Sequence, residues 1–168
     1  VRGGDRSIDE MGNLTLQVTT ADFDTRRVLG EAGIRRDLEK VGYDTALLLE
    51  LTGLLREMGR NEEALRAVAR VREKEPGNAD ALRELGACLV AAGKIQEGVR
   101  AYDECLRRDP GQNMARMQLA GVLMRGRVYE QAIILYDEAL RMNPEMAPLH
   151  NNLATACMAA GRLDRAEY

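Results

Sequence analysis

The chain has 168 residues, 45% hydrophobic and 30% charged, with one Phe, five Tyr and no Trp. A formal charge of −3, a pI near 5.4 and no basic run argue against nucleic-acid binding, and no apolar stretch approaches the roughly eighteen residues that span a bilayer. The three cysteines, Cys88, Cys105 and Cys157, are an odd number without Cys-x-x-Cys spacing. Each falls where a small packing residue is wanted, so they read as core residues in a reducing compartment and not as a redox or metal set.

Residues 1–12 (VRGGDRSIDEMG) are glycine-rich, charged and aperiodic, which predicts a flexible arm. In 13–20 (NLTLQVTT) Leu14, Leu16 and Val18 alternate with polar residues, the period of a short strand, so 1–20 are expected to hold an arm and an extended segment. A lone strand needs a partner, elsewhere in the protein or on another chain; the alternative is extended chain lying in a groove. Asn13-Leu14-Thr15 matches a glycosylation acceptor, read as incidental without a secretory signal. Ala21 to Val41 turns helical, with Val28, Leu29, Ala32, Leu38 and Val41 on the expected apolar face. Gly30 and Gly33 weaken its middle, which leaves one helix or two. Asp22 and Asp24 read as helix-start residues and not metal ligands. Residues 21–44 are thus expected to form an N-terminal helical cap on the remainder of the chain.

From Thr45 a period of thirty-four residues sets in. It divides the chain into 45–78, 79–112, 113–146 and a partial unit at 147–168. Ala64, Val68, Val71 and Pro76 recur as Gly98, Tyr102, Cys105 and Pro110, then as Ala132, Tyr136, Ala139 and Pro144. The fourth copy keeps Leu153, Ala154, Gly161 and Ala166. Each unit opens with a helix whose apolar stripe has spacings of three and four: Leu48, Leu51, Leu55; Leu82, Leu85, Leu89; Leu119, Leu123; Leu153, Cys157. Asp44 and Asn78 stand at N-cap positions. Gly59, Gly93 and Gly161 are placed for left-handed caps, whereas in the third copy Gly126 comes one residue early and Arg127 holds the expected site. A second helix comes next, with a small residue (Ala64, Gly98, Ala132, Ala166) where the first must approach closely, and the prolines stop it. Gly98 is a costly helical residue, by about 1 kcal/mol against Ala, so contact too close for a methyl is expected there. Arg116 and His150 interrupt the stripe, and both are expected to be partly exposed, because burying either without a partner is expensive.

The pattern L-x-x-L-G-x-x-L-x-x-x-G-x-x-x-x-[small]-x-x-x-Y-x-x-[small]-x-x-x-x-P over Leu82 to Pro110 resembles the tetratricopeptide repeat, and the resemblance covers 45–168. It implies an all-α fold, a right-handed α-solenoid of helix-turn-helix repeats preceded by the irregular N-terminal strand and helix segment. It also implies a concave groove walled by the first helix of each unit. The residues it assigns to a partner-binding groove are Leu49 and Arg56 in the first unit, and Arg83, Ala87 and Val90 in the second. The third contributes Met114, Met117, Gln118, Gly121 and Met124, and the fourth Asn151, Asn152, Thr155 and Met158. Members that grip chaperone tails clamp a terminal carboxylate with Lys, Asn and Arg. Arg83, Ala87, Gln118, Pro148 and Asn152 stand at those places here, which disfavours such a role. The groove instead runs from mixed charge at the front to a methionine-rich rear suited to apolar shapes.

No catalytic constellation is present. The Gly86–Lys94 stretch lacks the spacing and the Ser or Thr of a phosphate loop, and there is no zinc-protease, nucleophile-elbow or dinucleotide motif. No cofactor and no metal are expected. The expected function is a non-enzymatic, cytoplasmic protein–protein interaction module that holds a peptide or helix of a partner. One alternative is a chaperone like those of type III secretion, shielding the apolar segment of a translocator. The other is a structural scaffold that assembles with itself through the N-terminal segment or an open C-terminal end. A start at Val and a stop within a repeat read as a fragment of a longer array, its last helix frayed or covered by another chain.

Overall fold

The computed structural model describes residues 20–162, with side chains from residue 28 onward. The expected arm and strand therefore lie outside the described residues, apart from Thr20, which opens a helix. Eight helices run in order: α1 Thr20–Val41, α2 Thr45–Glu57, α3 Asn61–Lys74, α4 Ala79–Ala91, α5 Ile95–Arg108, α6 Asn113–Arg125, α7 Tyr129–Met142 and α8 Ala147–Ala159. In each unit α2, α4, α6 and α8 are the first (A) helices, and α3, α5 and α7 are the second (B) helices.

Local chemistry makes the hairpins equivalent. Leu47 and Ala81 donate their backbone N–H groups to Asp44 and Asn78 at 2.9 Å, which caps α2 and α4. After the A helices, Gly59, Gly93 and Gly161 take φ of 73°, 79° and 75°. In the third unit Gly126 keeps φ −78° and Arg127 adopts φ 61°, so the displaced glycine leaves the turn unchanged and an arginine bears the strain. The B helices end at Lys74, Arg108 and Met142, each two residues before Pro76, Pro110 or Pro144.

Close approach within a hairpin is set by complementary volumes. A Cβ on Gly86 would lie 2.9 Å from the Tyr102 ring. Thirty-four residues earlier the facing pair is Thr52 and Val68, and thirty-four later it is Ala120 and Tyr136, all buried. A Cβ on Gly98 would meet Val90 Cγ2 at 2.6 Å and the Gly86 carbonyl oxygen at 3.0 Å, the tight contact expected there. Buried side chains form three patches in sequence along the array: α1 to α4 around Leu48, Leu55 and Val68; α4 to α6 around Leu82, Tyr102 and Leu119; α6 to α8 around Ile133, Tyr136 and Leu149. Each patch touches only its neighbours, as stacked repeats require.

Two expectations are corrected. The α1 helix is single and unbroken, and it buries Glu31, Ile34 and Leu38, while Val28, Leu29, Ala32 and Val41 face outward. Its inward face contains a carboxylate because two arginines neutralise it. Arg35 Nε donates to Glu31 at 2.7 Å and Arg35 Nη2 to Glu63 at 3.1 Å. Arg60 donates to Glu31 through Nη1 and to Glu63 through Nε and Nη2, closing a four-membered ring of charge between α1 and α3. Arg60 hydrogen bonding holds the Glu63 carboxyl below its ordinary range. Arg116, expected at the surface, is only 9% exposed. Its Nε donates to Glu138 at 3.3 Å and its Nη1 approaches Met142 Sδ at 3.3 Å, so a partner on α7 makes the burial tolerable. His150 is exposed, with Nε2 2.7 Å from the Pro144 carbonyl oxygen.

Candidate functional site: the wall of A helices

The first three A helices pack in series, α2 on α4 and α4 on α6, whereas no comparable packing joins α6 to α8, α3 to α5 or α5 to α7 among the described residues. Helices that touch on one side and splay on the other curve the stack, with the A helices on the inner wall.

Along that wall the fourteen groove residues of the sequence reading fall into different environments. Leu49 is half-buried against the first core patch. Arg56 is half-buried, its Nε 3.7 Å from Glu84 Oε2. Arg83 Nη1 donates to Glu84 Oε1 at 2.7 Å, and its Nη2 lies 3.8 Å from Asp80. Ala87 is buried in the same patch as Tyr102, and Val90 is half-buried over Gly98. Met117 and Met124 are half-buried, packed on the α6–α8 patch. Gln118 is half-buried with its Oε1 shielded from solvent and unbonded, and at half-buried Gly121 a Cβ would stand 3.9 Å from the Arg125 guanidinium. Met114 and Met158 are 50% and 55% exposed. Asn151 and Thr155 are exposed, Asn152 half-buried, and Thr155 Oγ1 donates to the Asn151 carbonyl at 2.8 Å. The methionine set thus splits: two members are spent on packing and two are free for contact.

Sequence reasoning assigned Glu84 to the groove face and missed its burial, in which it is shared between Arg56 on α2 and Arg83 on its own helix. Its signal was the register, which sets the position of Arg56 in one unit beside that of Glu84 in the next. It also missed Glu75, where Thr45, Asn78 and Tyr43 all donate hydrogen bonds and so hold the carboxyl below its usual range.

The reactive groups are structural. Cys88, Cys105 and Cys157 are buried thiols outside any disulfide. Burial pushes the Cys88 and Cys105 thiols up to about 11 and the Tyr102 hydroxyl up to about 12. No group of His, Cys, Asp or Glu among the described residues is placed to hold a metal, and no described helix is long and apolar enough to cross a membrane. What the wall offers a ligand is apolar surface, amide and hydroxyl groups, and charge.

The tetratricopeptide repeat family model matches residues 54–113, 89–147 and 117–168. The fold is similar to the crystal structure of MamA, with a TM-score of 0.70 at 17% identity over 90% of each chain. It is also similar to MamA from Desulfovibrio magneticus RS-1 (TM-score 0.64, 23% identity, 72% of this chain and 68% of that one). A tetratricopeptide repeat protein from Parabacteroides merdae aligns at TM-score 0.67 and 20% identity, over 88% of this chain and 59% of that one. No curated protein matches the sequence. Matching repeats and solved neighbours agree on an all-α, right-handed solenoid built for protein interaction, and the chain belongs to the tetratricopeptide repeat family.

Proposed function

We propose that the chain is an interaction module that holds an extended or helical peptide of a partner protein against the A-helix wall. The observation that supports this is what two A helices leave uncovered: half-exposed Met114 on α6, and half-exposed Met158 with exposed Asn151 and Thr155 on α8. Exposed thioethers offer adaptable apolar contact, and amides and hydroxyls satisfy a peptide backbone. The groove set for this role is Leu49, Arg56, Arg83, Met114, Met117, Gln118, Met124, Asn151, Asn152, Thr155 and Met158, with Ala87, Val90 and Gly121 as its floor.

The test is selection of a displayed random-peptide library on the protein, followed by binding of the selected synthetic peptides to Met114→Glu/Met158→Glu. Both positions are exposed, so the helical circular dichroism should not change. Apolar peptides whose affinity falls at least about tenfold on the double variant support the reading. Unchanged affinity, or no selectable peptide, refutes it.

A further inference from the structure

The outer face of the array carries a second surface. At one outward position of successive B helices the chain places Arg66, Arg100 and then Ile134, thirty-four residues apart. The first two are solvated charges, but Ile134 is an apolar side chain left 56% exposed. It overhangs a cleft of about 260 Å³ between α5 and α7, floored by Leu119 and Leu123 of α6 and walled by Val99 and Leu135.

The equivalent cleft at the other end, between α1 and α3 above Leu51 and Leu55, is narrowed to about 140 Å³ by the chain's own charged side chains. Arg35 crosses it to Glu63. In the α5–α7 cleft Gln131 takes the place of Glu63, and exposed Asp103 on the other wall has no ion pair among the described residues. That cleft is therefore apolar, open and rimmed by one unbalanced carboxylate.

The complementary shape is on α1. Val28, Leu29, Ala32 and Arg36 lie at i, i+1, i+4 and i+8, one face of a helix. Leu29 is 68% exposed, and exposed Arg36 has no ion pair among the described residues. We propose that the α5–α7 cleft seats this α1 ridge from a second copy of the chain, Leu29 entering beside Ile134 and Arg36 supplying the cation that Asp103 lacks. Ridge and cleft lie at opposite ends of the array and do not overlap, so the contact is head-to-tail and can repeat. It leaves the A-helix wall free and does not depend on peptide binding there.

Sedimentation velocity of the full chain over a wide concentration range tests this, with mixing as the decisive arm. Leu29→Glu keeps a working cleft and loses its ridge; Ile134→Glu keeps the ridge and loses the cleft. Both positions are exposed, so folding is spared. The wild type should grow in size with concentration, each variant alone should weaken association at least about tenfold, and an equimolar mixture of the two should restore a dimer-sized species. Arg36→Asp and Asp103→Arg should each weaken association alone, and because their mixture pairs opposite charges at both contacts it should regain the open-ended growth of the wild type. A wild type that stays monomeric overturns the proposal. So does association lost in Leu29→Glu but intact in Ile134→Glu, since that is ridge-on-ridge pairing, and so do mixtures that fail to recover the dimer.

Discussion

Replacing Gly98 with Ala sets two effects of opposite sign against each other. Ala is the better helix former by up to about 1 kcal/mol, so on propensity alone the change at this position in the first turn of α5 stabilises. Against it, the new methyl would sit 2.6 Å from Val90 Cγ2, 3.0 Å from the Gly86 carbonyl oxygen and 3.2 Å from the Val90 nitrogen. Two of those three atoms are backbone of α4 and cannot rotate away, so α4 and α5 must part. Overpacking of this kind costs roughly 1 to 3 kcal/mol. The net expectation is a loss of about 1 kcal/mol, the middle of a range of roughly 0 to 2, and a fall of roughly 2–4 °C in melting temperature for each kcal/mol at this chain length. The other units show why Ala is accepted elsewhere: Ala64 and Ala132 hold this place where Arg56 and Met124, both unbranched at Cβ, replace Val90. Val90→Ala should therefore cost less in the Gly98→Ala background than alone, with a coupling of about 1 kcal/mol. Thermal and guanidinium melts of the four proteins, followed by helical circular dichroism, measure the cycle. A Gly98→Ala protein more stable than the wild type would refute the close-packing argument.

Arg127→Gly relieves a left-handed arginine, and a gain of about 0.5–1 kcal/mol in the same melts is expected, with a loss counting against the strain. Arg116→Leu should leave stability unchanged or raise it, because leucine holds this place in the two preceding units, while Glu138→Ala should lower it by stranding a buried guanidinium; the reverse order would contradict the pairing. For the thiols the sign comes from their raised values. Below pH 9 Cys88 and Cys105 are protonated in both states, whereas from there up to about 11 the unfolded chain ionises and the folded one does not. Stability should thus hold below pH 9 and decline above it. Iodoacetamide at about pH 8 should label the cysteines only after unfolding, and rapid labelling of the native protein would contradict the burial.

What was legible in the sequence was whatever neighbouring residues decide. The proline stops, the left-handed glycines and the Asp44 and Asn78 caps each depend on a few residues of local chain, and repetition marked them several times. Arg116 was not legible because its burial depends on Glu138, twenty-two residues away on another helix. The inward face of α1 was misjudged for a similar reason. Hydrophobicity favoured Val28 and Leu29, but Arg60 makes Glu31 the residue that can go inside. Among the groove residues the register located the A helices, yet it did not separate Met117 and Met124, which pack on the α6–α8 patch, from Met114 and Met158, which do not. Which side of a methionine is covered depends on the neighbouring unit.

Because the apolar interior is three patches in series with no common centre, the molecule resembles a spring more than a bolt. Tension applied at its ends meets each junction in turn, so the chain should lengthen in hairpin-sized steps and recoil when released. A partner moving relative to whatever anchors this array would feel a compliant tether.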